Sequence, residues 1–322
     1  MEKLRLKFVD FWISMDNREN NYFYKLLSPY FDIEFSDTPD ILFYSCFGSE
    51  HLKYTCTRIF FSTENWRPNF SESDYAITFD YVSDKRHLRF PLWAAYYLTY
   101  QEKKLLNWTK DTKNLHQEWT ARNKFCCLIV SNEKAKERID FFNQLNAVKE
   151  VDSAGGWNNT IGRKIDSGTF GKFEFIKDYR FVISFENSSY PGYTTEKIIE
   201  PILAGCIPIY WGDPRVNEDF NQNRFIGIKD RTEYASAIET ILHLDNNKEL
   251  AKSILSESLF VRSIDPVYIE KEYVIGTILN WVNEAKSKRY RGVGAKTSQR
   301  LKYFSVNWKS RLVRVKNKII YK

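Results

Sequence analysis

The sequence predicts an α/β protein of two Rossmann-like domains whose parallel sheets face a cleft. Three observations predict it: short apolar runs alternate with amphipathic ones, the alternation occurs twice, and a polar stretch at 107–123 separates the two series. Apolar strands interleaved with helices form parallel sheets covered on both faces.

In the first series LRLKFVDFW reads as a strand, NRENNYFYKLLSPYF as a helix and DILFYSC as a buried strand. RIFFSTEN and DYAITFD follow as strands and PLWAAYYLTYQEKKLL as a helix, before the linker-like NWTKDTKNLHQEWTARN. The second series opens with the β-rich KFCCLIVSN and the helical EKAKERIDFFNQL. RFVISFEN then reads as a strand, TEKIIEPILAG as a helix, and CIPIYWG and RFIGIKD as strands, with helix to about Lys286. The expected division is 1–115, 116–285 and a tail over 286–322.

Composition bounds the function. No uncharged apolar run is long enough to span a membrane, and the N-terminal stretch has no signal-peptide cleavage pattern. Five scattered cysteines without CxxC spacing and four scattered histidines argue against a disulfide framework or a zinc site, and fit a reducing cytoplasm. The net charge is +7, yet Lys286 to Lys322 holds thirteen Lys and Arg and no acid, which leaves the first 285 residues at −6. The chain is a mildly acidic body with a strongly basic tail.

In open parallel sheets ligands bind beyond the carboxyl ends of the strands, so polar residues there carry the functional reading. Glu186 and Asn187 end the strand RFVIS, Pro191 and Gly192 bend the chain, and Thr194 or Thr195 caps a helix opening with Glu196 and Lys197. A helix N-terminus favours an anion, so a lysine in its first turn makes sense if an anion binds beside it. A plain capping sequence with a solvated lysine is the alternative. Ser131 and Asn132 repeat the strand-to-turn pattern ahead of a helix carrying Arg138. Gly155 and Gly156 mark a further strand-to-loop junction that permits close backbone approach, with Trp157 beside them. Together these residues describe a nucleoside diphosphate pocket in which cations offset a leaving group's charge. No Asp-x-Asp occurs, which points to leaving-group stabilisation by side chains rather than by a metal.

The segment FENSSYPGYTTEKIIEPILAGCIPIYWGDP resembles the signature of the alpha-1,3-fucosyltransferases, most clearly the bacterial ones. Weaker similarity runs over about 55–285, through STEN, SDYAITFD, RFPLW and NNTIG. The resemblance implies a GT-B fold, a GDP-fucose donor, no required cofactor (a divalent ion at most stimulating) and inversion at the anomeric carbon. It implies that Arg138 and Lys197 contact the diphosphate, and that Asn187, Tyr193 and Glu196 contact phosphate, ribose or fucose, with Glu186 beside them. In FFSTEN it implies that Glu64 is the general base, although Thr63 stands where bacterial relatives often carry glycine. Trp66, Arg67, Trp93 and Tyr96 are candidates for the acceptor side.

In the tail, Leu301, Phe304, Trp308, Leu312, Val315 and Ile319 fall on one helical face among lysines and arginines. Such a helix suits an anionic membrane surface, here the inner face of the cytoplasmic membrane; packing on the protein's own body is the alternative. No recognition motif accompanies the charge, so nucleic acid is not an expected partner. Expected partners are GDP-fucose, a glycan or lipid-linked acceptor and the membrane. A different GDP-sugar, or a non-catalytic glycan-binding adaptor, are the rival readings.

Overall fold

The computed structural model describes residues 1–12, 21–102, 112–131, 135–166, 169–261 and 266–287. They form two compact units. Among the described residues, the first takes in those of 1–78, 82–90 and 270–287, the second those of 79–81 and 91–269.

The first unit holds a six-stranded sheet of β1 (Glu2–Val9), β2 (Phe31–Phe35), β3 (Ile41–Tyr44), β4 (Thr57–Phe61), β5 (Tyr75–Thr78) and β6 (His87–Arg89). Every pairing is parallel and the order is β2-β1-β3-β4-β5-β6. Central β3 and β4 are buried at every position: β3 is apolar throughout, and β4 also buries Arg58, which donates to the His51 carbonyl at 3.1 Å. Strand β2, on the edge, alternates as FDIEF and escapes a reading that expects continuous apolar runs. Helix α1 (Tyr22–Leu27) starts where the Asn21 side chain accepts from Phe23 N at 2.9 Å, and it buries Phe23, Leu26 and Leu27.

The second unit holds β7 (Lys124–Ile129), β8 (Asp152–Ala154), β9 (Tyr179–Phe185), β10 (Ile207–Trp211) and β11 (Ile226–Gly227), in the order β11-β10-β9-β7-β8. All four pairings are again parallel. Its helices are α2 (Leu92–Glu102), α3 (Thr112–Ala121), α4 (Lys136–Val148), α5 (Thr169–Ile176), α6 (Glu196–Leu203), α7 (Tyr234–Asn246) and α8 (Lys248–Ser256). The chain then returns to the first unit with α9 (Lys271–Ser287), where Trp281 stacks on Tyr75 at 4.7 Å.

The stretch 107–123 is not simply a linker. Its described part carries α3, which buries Leu115 and Trp119, and the Trp119 indole N–H donates to the Arg180 carbonyl at 3.2 Å. Two apolar residues at i, i+4 are enough to seat a helix whose other positions are polar. Residues 91–269 accordingly belong with the second unit. The basic tail beyond Ser287 lies outside the described residues.

Each sheet reverses its growth once. In the first unit the chain moves from β1 to β2 on one side and then to β3 on the other; in the second, from β7 to β8 and then to β9. Such switch points, β1/β3 and β7/β9, open a crevice at the strands' carboxyl ends.

Candidate active site

At the β7/β9 switch point, β9 ends at Phe185 and the next residue, Glu186, is fully buried. Its carboxylate accepts from the Thr195 amide at 2.7 Å, from the Thr195 hydroxyl at 2.7 Å and from Lys197 Nζ at 3.2 Å. Burial pushes the Glu186 carboxyl up, against the pull of Lys197 and the Thr195 donors. The anion that the sequence called for beside Lys197 is therefore the protein's own glutamate.

Arg138, in the first turn of α4, is 3% exposed. It donates to the Phe185 carbonyl through Nε at 3.1 Å and to Asn187 Oδ1 at 2.9 Å. Burial lowers its pKa, and Glu186 and Glu196 work against that shift. Asn187 is itself exposed.

Glu196 opens α6 and faces two ammonium groups, Lys172 at 3.1 Å and Lys197 at 3.7 Å. Burial would raise its carboxyl, but Lys197 and Lys172 outweigh that and hold it below the usual carboxylate range. One turn on, Glu200 is fully buried, 2.6 Å from Lys172 and hydrogen-bonded by the Tyr100 hydroxyl at 3.1 Å. Burial raises the Glu200 carboxyl, with Lys172 opposing. Arg138, Lys172, Glu196, Lys197 and Glu200 line one cavity of about 130 Å³.

Tyr193 is 2% exposed and packs on Phe79 at 5.2 Å, on a turn that Asp213 secures. Asp213 accepts from Gly192 N, the Thr194 hydroxyl and Arg215 N, each at 2.8 Å. Gly192 has φ +85°, and a Cβ there would press on the Phe79 carbonyl, so the turn needs glycine. Gly155 and Gly156 line a second cavity, of about 380 Å³, with Lys172 at its border. At Gly155, φ is +104° and a Cβ would overlap the Val130 carbonyl, so the chain's approach to itself already demands glycine. Trp157 packs edge-on against Phe142 at 5.4 Å, as part of the core rather than a ligand platform.

Glu64 belongs to the first unit. It is exposed three residues beyond β4, and its amide donates to the Ser62 hydroxyl oxygen at 3.1 Å. Of the acceptor-side candidates, Trp66 is 58% exposed. Trp93 is not available to a ligand: it is fully buried against Phe220 at 4.7 Å and Phe260 at 5.5 Å.

Two family models match the chain. The alpha-(1,3)-fucosyltransferase FucT N-terminal domain covers residues 6–96, and the C-terminal part of glycosyltransferase family 10 (fucosyltransferase) covers 119–255. The chain belongs to the family 10 fucosyltransferases. It is 30% identical over 292 residues to the alpha-(1,3)-fucosyltransferase FucT of Helicobacter pylori, a match over 79% of this chain and 60% of that one. It thus spans less than two thirds of that relative's length. To alpha-(1,3)-fucosyltransferase B of Drosophila melanogaster it is 34% identical over 86 residues, 26% of this chain and 19% of the relative. A crystal structure of an alpha1,3-fucosyltransferase with GDP-fucose superposes with a TM-score of 0.70 at 25% identity, over 88% of this chain and 91% of that one. One with GDP gives 0.72 at 25% identity, over 92% and 93%. The two parallel-sheet units are the GT-B architecture of these fucosyltransferases.

For this family member, the structure brings Arg138, Glu186, Asn187, Glu196 and Lys197 to one strand end. Lys172 and Glu200 join them unannounced by sequence. Glu200 could have been found four residues after Glu196 on the same helix face. Lys172 could not, because α5 has no clear apolar period.

Proposed function

We propose that the chain is an inverting fucosyltransferase that moves L-fucose from GDP-fucose to a hydroxyl of an N-acetylglucosamine-type glycan, in α-1,3 linkage with α-1,4 as the alternative. The observation that carries this reading is the meeting of Arg138, Lys172 and Lys197 around one cavity at the β7/β9 switch point. The family membership and the GDP-fucose in a similar solved structure support it.

In a single displacement, Glu64 takes the proton of the acceptor hydroxyl as its oxygen bonds to the anomeric carbon. The bond from that carbon to the β-phosphate oxygen breaks, and GDP carries the electron pair away. Lys197 turns from Glu186 to the diphosphate, and with Arg138 offsets the charge that develops on it. The ionised Glu196 and Asn187 orient donor hydroxyls, and the Asp213-braced turn, with Tyr193 buried in it, fixes where α6 begins. The reaction so written needs no metal, and activity that persists in a chelator supports that part of the reading.

Lipopolysaccharide or other Lewis-type surface glycans are the proposed acceptors, reached at the inner face of the cytoplasmic membrane through residues 286–322. Sedimentation with anionic vesicles, lost on truncation at Lys286, tests the membrane contact. Competition binding of GDP-fucose, GDP-mannose and GDP tests the donor. The reading requires GDP-fucose to bind best, and a preference for GDP-mannose favours another donor sugar.

A further inference from the structure

The first unit has its own switch point, between β1 and β3, and two large aromatic side chains stand exposed there. Trp12, three residues after β1, is 58% exposed, and Phe47, three residues after β3, is 43% exposed. Their rings meet edge-on with centroids 5.2 Å apart. Leaving this much apolar surface in water is unfavourable, and neither side chain is needed to fill the core.

The loop that carries Phe47 is nevertheless held in place from several directions. Asp10 adopts φ +60°, a left-handed conformation that aspartate tolerates better than most residues. Its carbonyl accepts from Phe47 N at 3.1 Å. Its carboxylate accepts from Glu50 N at 2.9 Å and His51 N at 3.0 Å, and lies 2.7 Å from His51 Nδ1. A Cβ at Gly48 would overlap that carboxylate, so the loop closes on Asp10 only with glycine there. The result is a rigid mount that ties the end of β1 to residues 47–51 and keeps Phe47 beside Trp12.

The mount is continuous with the segment that bears Glu64. The Ser62 hydroxyl lies 3.7 Å from Cys46 Sγ, and its oxygen accepts from Glu64 N at 3.1 Å. The exposed Trp66 lies two residues further on.

We propose that Trp12 and Phe47 form the stacking platform for the acceptor glycan. A pyranose presents an apolar C–H face that packs on an aromatic ring while its hydroxyls stay free for polar partners. The platform sits at the crevice of the switch point, on a loop linked through Cys46 and Ser62 to the segment that bears the base. The inference deepens the proposed function and rests on Glu64 being the base.

The test uses the intact chain with GDP-fucose and N-acetyllactosamine, and the variants Trp12→Ala, Phe47→Ala and Phe47→Tyr. Each alanine variant should raise the acceptor KM about tenfold and leave kcat within about threefold. Calorimetric GDP affinity should stay at the unaltered value, and Phe47→Tyr should keep the original acceptor KM. An unchanged acceptor KM in both alanine variants overturns the platform and leaves the donor and base assignments standing. Equal losses of GDP affinity and acceptor KM would mark general disruption and also overturn it. If the unaltered chain transfers no fucose, the underlying reading fails and the platform falls with it.

Discussion

Lys197 Nζ lies 3.2 Å from the carboxylate of Glu186, a side chain with no solvent exposure. The pair couples the chemistry of the site to the stability of the unit. Removing one partner of a buried pair leaves an uncompensated charge, so Lys197→Ala should cost roughly 3 kcal/mol near neutral pH. The Glu186 carboxyl is already raised by burial, so a protonated Glu186 should relieve that cost as pH falls. Chemical denaturation across pH should show the gap closing. Adding Glu186→Gln to Lys197→Ala should recover at least half of the stability while fucosyl transfer stays lost.

Lys172 spans Glu196 and Glu200 and helps hold the Glu196 carboxyl low. A depressed carboxylate adds stability above its ordinary range, and that stability is lost as pH falls through the lowered value. Lys172→Met moves the loss to milder acid. Lys197, Arg138, Glu186, Glu200 and Tyr100 remain to set the new value. In calorimetry, lowering the pH from about 8 to about 5 should weaken GDP-fucose binding to the variant about tenfold more than it weakens binding to the unaltered chain. Lys172→Arg should restore the unaltered profile, and an unaltered profile in Lys172→Met would count against the assignment.

Glu64→Gln separates chemistry from binding. A general base contributes about 10²–10⁴-fold, so kcat should fall by at least about a hundredfold. The residue is exposed, so stability should move by less than about 0.5 kcal/mol. GDP affinity should not change, and a variant with near-normal turnover would remove Glu64 from the mechanism.

Trp119→Ala tests the seating of α3. The side chain is fully buried and bonded to Arg180, so the substitution should cost about 3–5 kcal/mol by denaturant unfolding. A cost below about 1 kcal/mol would mean that α3 is not part of the core.

The parallel sheets were legible because β3 and β10 are unbroken apolar runs and β4 and β9 largely apolar ones, a pattern set by burial on both faces. Edge strand β2 and the short β6 were not, since three to five residues with polar positions carry little signal; β8 was read only through the strand-to-loop junction at Gly155 and Gly156. Glu186, Asn187, Glu196 and Lys197 were legible because strand end, turn and helix start follow one another within a dozen residues. Glu200 was within reach as the residue one turn after Glu196, but Lys172 acts through charge pairing between α5 and α6, which one-dimensional spacing does not display. Trp93 misled for a related reason: an aromatic in a helical stripe looks the same whether it meets a sugar or, as here, Phe220 and Phe260.

The central claim is fucosyl transfer driven by the cations at the β7/β9 switch point. Its most direct measurement is the rate of GDP release from GDP-fucose with N-acetyllactosamine, for the unaltered chain and for Arg138→Ala and Lys197→Ala, with NMR of the product linkage. The account predicts an α-linked fucoside of configuration opposite to the donor's, and a rate lowered at least about a hundredfold in each variant. A product with retained configuration, or unchanged turnover in either variant, would contradict it.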